Sequence, residues 1–175
     1  MELFLIILRN VAIALAILYA LIIIVSVSFV FSFASILSHH NHDLTVILTN
    51  KRDNLVKLAD LFTQAGIKLD KKLLEGLHNF DFKRIENQDG EDAKKARDEL
   101  TSYSEYLYSI DVGDKKIASN EEYIKTLDNI NELEKVYRHH LMMYNADVLG
   151  YNFWINFFPT RYIFKILRLK PRDNI

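Results

Sequence analysis

The sequence predicts an all-α protein: an N-terminal transmembrane helix, then an antiparallel three- to four-helix bundle whose last helix is long and coiled-coil-like. Three observations predict it. Residues 11–38, VAIALAILYALIIIVSVSFVFSFASILS, carry no charge, and roughly 20 apolar residues suffice to cross a bilayer. From Tyr123 to Phe158 apolar residues recur in alternating steps of four and three, the spacing of a coiled-coil seam. The chain has only two prolines and five glycines, a scarcity that favours long helices over turn-rich sheets.

The first element is the anchor, residues 10–38. A cleavable signal has an apolar core of about 7–15 residues, and this uncharged run of 28 is far longer, so a retained span is expected. Ala12, Ala16 and Ala20, then Ser28, Ser32 and Ser35, form a line of small residues. Such lines let two helix backbones approach closely in lipid, which points to self-association. Lys51, Arg52 and Lys57 follow the span and only Arg9 precedes it. Three basic residues against one favour a cytoplasmic C-terminal part, and Arg9 on a short tail close to the span argues for the reverse.

The second element is a helical bundle over residues 39–158. Apolar residues at 44, 47, 48, 55, 58, 61 and 62 have helical spacing, so the anchor helix can run on to a stop at Gly66. A second segment, about Lys71 to Phe82, carries Leu73, Leu74, Leu77 and Phe80. Asn87–Gly90 reads as a loop. A third helix starts near Glu91, with Ala96, Leu100, Tyr103, Tyr106 and Leu107 on one face, and ends near Asp111–Asp114. Ser119 and Glu122 fit a capping box that opens the last helix. Its seam is Tyr123, Leu127, Ile130, Glu134, Tyr137, Leu141, Tyr144, Val148, Tyr151, Ile155 and Phe158, and Pro159 interrupts it. About 38 residues make a rod of roughly 57 Å. Glu134 breaks the apolar seam, so it pairs with a base or faces water, since an unpaired buried carboxylate is costly. Asn145 and Asn152 flank the seam; either they bond across to a neighbouring helix or the tyrosines beside them form an ordinary aromatic core.

The third element is a basic tail, residues 159–175. Formal net charge is −1, but Arg161, Lys165, Arg168, Lys170 and Arg172 face one acid, Asp173, after Trp154. Arg161, Lys165, Arg168 and Arg172 fall on one helical stripe beside Tyr162, Ile163, Ile166, Leu167 and Leu169, a pattern suited to an anionic membrane surface. An even number of antiparallel helices returns the chain to the bilayer, where Trp154 and its neighbouring aromatic rings would sit at headgroup level.

The repeat Tyr144-Asn145, Val148, Tyr151-Asn152, with Phe158-Pro159 after it, resembles the C-terminal signature of the LemA family of bacterial membrane proteins. Ser119–Tyr123 is similar to that family's entry into its long helix, and Asn50–Val56 to its basic stretch after the anchor. The resemblance covers residues 117–160 well and 43–60 weakly, and nothing in 66–112 matches. It implies a helical bundle on an inner-membrane anchor, no settled activity, and relatives that organise bacterial membranes, including in magnetosome biogenesis.

Catalytic chemistry has little to stand on. Cysteine is absent, which removes thiolate catalysis and Cys-ligated metal. There is no HExxH, GxSxG, Walker loop or GxGxxG. His39 and His42, with Asp43 beside them, can share a helix face, but metal sites need more ligands; His40 is expected to point elsewhere, and the adjacent His139 and His140 cannot both face one ion. No catalytic, cofactor or metal site is therefore assigned. The expected partners are the lipid bilayer and a second copy or another membrane protein, with no nucleic acid and no small-molecule substrate. A membrane-bound sensor whose bundle receives a ligand is the alternative.

Overall fold

The computed structural model describes residues 1–85, 91–111, 115–158 and 160–175. The expected loop at Asn87–Gly90, the turn at 112–114 and the break at Pro159 lie outside the described residues. Among those described, the chain is helical with no strand: α1 (Glu2–Gln64), α2 (Lys71–His78), a 3-10 turn (Phe82–Ile85), α3 (Glu91–Ser109), α4 (Lys115–Ala118), α5 (Glu121–Asn156) and α6 (Arg161–Ile166). It divides into two compact units. One comprises residues 1–38 and 146–173, the other residues 39–145 and 174–175.

α1 is a single unbroken helix of 63 residues, because neither glycine nor proline interrupts 2–64. It is long and apolar enough to cross a membrane. It stops at Gly66, whose φ of +79° only glycine adopts readily. The Gly66 N–H donates to the Thr63 carbonyl and the Ile67 N–H to that of Phe62, both at 3.0 Å, the paired bonds of a Schellman cap.

In the second unit, apolar side chains of α1 (Leu48, Leu55, Leu58, Phe62) share a core with Leu77, Ile85, Leu100, Leu107 and Ile130. α2 is shorter than the segment the sequence outlines. Its first turn is capped by Asp70, which accepts from the Lys72 N–H at 2.9 Å. Its last carbonyls, Leu77 and His78, accept from the Arg52 guanidinium, a cation placed where the helix dipole is negative. α3 buries Ala93, Ala96, Leu100, Tyr103, Ser104 and Leu107, a stripe at the helical period. Glu99 fastens it to the 3-10 turn by accepting from Tyr103 Oη at 2.6 Å and Arg84 Nη1 at 2.7 Å. Burial pushes the Glu99 carboxyl up, but those two donors outweigh it and the net shift is down. Burial, and then the bond to Glu99, push the Tyr103 phenol up to about 12.

α5 is capped by Asn120 and not by the expected Ser119: Asn120 Oδ1 accepts from the Glu122 N–H at 2.8 Å and the Tyr123 N–H at 3.2 Å. Asparagine and serine cap about equally well, and here the helix begins one residue later. Within the second unit α1 and α5 run antiparallel, with Phe62 against Tyr123, Lys51 against Glu134 and Asp43 near His140. The pairing of Glu134 takes the first of its two expected forms. Lys51, 6% exposed, donates to Glu134 Oε2 at 2.8 Å, and Arg138 donates to Oε1 at 3.2 Å. Burial raises the Glu134 pKa, the hydrogen bonds and charges of Lys51 and Arg138 lower it, and the net direction is down.

Candidate functional site

In the first unit the long apolar helix divides into two stretches. From Met1 to Leu21 every residue is exposed, and Ala12, Ala16 and Ala20 lie in that uncovered stretch. From Ile22 onward one face turns inward through Ile22, Ser26, Val30, Phe33 and Leu37, steps of three and four that keep one side of a helix covered. The covering element is α5. Trp154 stacks on Phe29 with ring centroids 4.7 Å apart and planes 3° from parallel. One turn earlier Gly150 meets Phe33 so closely that a Cβ there would lie 2.7 Å from the ring. Glycine is needed for this approach, and nothing in the heptad pattern marks it.

Trp154 thus pairs with a residue inside the uncharged run and not at its polar end. Its partner Phe29 precedes Ser38 by nine residues, about 14 Å of helix. Within the expected anchor of 10–38, the residues up to Leu21 are exposed and one face from Ile22 onward is covered. Beyond Trp154 a collar forms. Phe153, Phe158, Tyr162, Ile166 and Leu167 are exposed beside exposed Arg161, Lys165 and Arg168. Beneath it Phe164, Thr160 and Ile155 are buried. A recess of about 250 Å³ lies between Leu21, Ile22, Val25, Ser26, Trp154 and Phe157.

The seam of α5 is buried or half-buried from Tyr123 to Ile155: Tyr123, Leu127, Tyr137 and Leu141 are half-buried, and Ile130, Tyr144, Val148, Tyr151 and Ile155 are buried. Phe158 departs from it. The helix ends at Asn156, and Phe158 is 67% exposed.

The basic tail also differs from the expected single amphipathic helix. Only Arg161–Ile166 is helical. Arg168 adopts φ +57° and the chain then extends, so Arg172 leaves the stripe of Arg161 and Lys165. Its guanidinium lies 5.5 Å from the Tyr151 ring centroid. The stop is a Schellman cap: the Arg168 N–H donates to the Lys165 carbonyl at 3.1 Å and the Leu169 N–H to that of Phe164 at 3.0 Å, and Pro171 bars the helix from running on through Arg172.

The extended tail is what the two asparagines bind, in place of a neighbouring helix. Asn152 Nδ2 donates to the Arg172 carbonyl at 2.8 Å, and the Arg172 N–H donates to Asn152 Oδ1 at 2.9 Å. In the other unit Asn145 does the same with Ile175, at 3.0 and 2.9 Å. A primary amide satisfies the N–H and C=O of one residue at once, as a neighbouring β-strand would.

A polar cluster occupies the second unit. His39 Nε2 lies 3.6 Å from Asp43 Oδ2 and His140 Nδ1 lies 3.8 Å from it. The His40 and His140 rings meet edge to face with centroids 6.0 Å apart. His42, expected to share a face with His39, is exposed, whereas His40 faces His140. Nothing short-range in the sequence signals this, because His140 comes from α5. An open polar groove of about 550 Å³ lies elsewhere in the same unit, lined by Asn54, Lys57, Asn120, Glu121, Lys125 and Asn129 among others. No family model, curated protein or solved structure matches the chain.

Proposed function

We propose that this protein is a non-enzymatic, single-pass membrane scaffold of LemA-like type, in which an antiparallel helical bundle with a coiled-coil-like last helix is carried on an inner-membrane anchor, faces the cytoplasm, and assembles with a second copy or another membrane protein. The observation that carries the reading is the stretch Met1–Leu21, exposed on every face. Apolar surface on that scale is a liability in water and is covered at no cost by lipid. The collar of Tyr162, Ile166, Arg161 and Lys165 suits the adjoining headgroup layer, where aromatic rings and cations concentrate. A cation deep in hydrocarbon costs roughly 3 kcal/mol, so α6 belongs at or outside that layer. The hydrocarbon then holds the residues before about Val25, with Arg9 reaching back to the opposite surface.

The assignment of no catalytic role is supported by how the charged groups are used: Lys51 with Glu134, Arg84 with Glu99, and Arg52 on the end of α2. The groove beside Asn54 and Lys57 favours the second reading, a sensor whose bundle receives a polar ligand. The test is extraction of native membranes followed by cross-linking. The protein should stay with lipid through high salt and alkaline carbonate, and cross-link to itself or to a membrane partner. Release by salt would end the anchor reading, and a monomer without adducts would end the assembly reading.

A further inference from the structure

We propose that His40, Asp43 and His140 form a binding site for a divalent first-row transition ion such as Zn²⁺. One nitrogen from each histidine and one carboxylate oxygen lie within 4.8 Å of one another. His40 and Asp43 are three residues apart on α1 and so share a helix face; His140 completes the set from α5. The distances fit coordination better than hydrogen bonding. At 3.8 Å, His140 Nδ1 is too far from Asp43 Oδ2 for a hydrogen bond. A tetrahedral ion with bonds of about 2.0–2.1 Å holds its ligand atoms roughly 3.3 Å apart, which small side-chain rotations would reach here.

A second observation points the same way. His140 Nδ1 is fully buried and has no hydrogen-bond partner among the described residues, although a buried polar atom left without one costs about 1–3 kcal/mol. A metal ion would accept its lone pair. Two imidazoles and one carboxylate select zinc, iron, cobalt or nickel over magnesium and calcium, which prefer oxygen. Three protein ligands leave at least one position open, and His39, 3.6 Å from Asp43, stands beside it. The ion would tie α1 to α5 at the first polar turn after the apolar run, and so stabilise their pairing by mass action.

The test uses the untagged full chain in detergent micelles, stripped with a chelator and titrated with Zn²⁺ by calorimetry and with Co²⁺ by visible absorption. Wild type should take up one ion per chain with a ligand-field band for Co²⁺, and excess Mg²⁺ should not compete. H140A and the near-isosteric D43N should each weaken binding at least tenfold, while H42A should bind as wild type does. Circular dichroism checks that each variant keeps its helix content, and D43N decides the matter if H140A unfolds. Absence of saturable uptake by wild type overturns the site. So does wild-type affinity in D43N, or a loss in H42A equal to that in H140A.

Discussion

α1 and α5 meet in both units, and the chemistry of the meeting differs between them. In the first unit the contact is ring on ring and ring on glycine: Phe29 with Trp154, Phe33 with Gly150. In the second it is ion pair and polar cluster: Lys51 with Glu134, and Asp43 with His140. The two regions rely on different forces. In the first unit flat rings and a glycine let the two helices approach closely, and close packing supplies the energy. In the second unit burial of apolar side chains in a shared core supplies it, and one paired charge inside the seam fixes which residues face each other.

Four variants separate the two kinds of contact, read by thermal unfolding in micelles and by hydrogen exchange of peptides from each unit. The largest effect is expected from W154A, which removes the stacked ring and should cost about 3 kcal/mol. Protection should fall over residues 22–37 and persist over 44–62; equal loss in both would break the distinction. E134Q comes next. It leaves Lys51 buried without its counter-charge and should cost about 2 kcal/mol at pH 7. The Glu134 pKa is lowered on folding from its ordinary 4.5, so its stabilisation is complete above that value and fades as pH falls through the lower, folded one. Wild type and E134Q should therefore converge in acid below about pH 4.5, and a constant gap would show that charge is not the cause. N152A removes both bonds to Arg172 and should cost about 1–2 kcal/mol, with faster proteolysis after Arg168 as the local readout. The smallest change is a gain: R168G relieves a φ of +57° and should stabilise by up to about 1 kcal/mol.

The helices themselves were legible because their signals are local. The uncharged run, the glycine stop at 66 and the acids opening α3 each act within a turn or two. Glu134 was visible as a break in the seam, but its partner is 83 residues away, and Lys51 on its own reads as one more topogenic charge. Gly150 carried a signal that periodicity ignores, since a glycine inside a helix costs about 1 kcal/mol relative to alanine and needs a packing reason. Pro171 likewise argued against a helical tail through Arg172. The asparagine clamps and the His40–Asp43–His140 cluster had no local signal, because each joins a helix to a segment that only tertiary folding brings near.

Placement of Met1–Leu21 in lipid is tested most directly by depth. The chain has no cysteine, so single cysteines can be placed along residues 5–45, spin-labelled in reconstituted vesicles, and scored for access to oxygen against a water-soluble nickel chelate. The expected profile is lipid access on all faces up to Leu21, lipid access on one face only from Ile22 to the level of Trp154, and water access from His39 onward. Water access across Ala12–Leu21, or uniform lipid access on every face through Leu37, would contradict it.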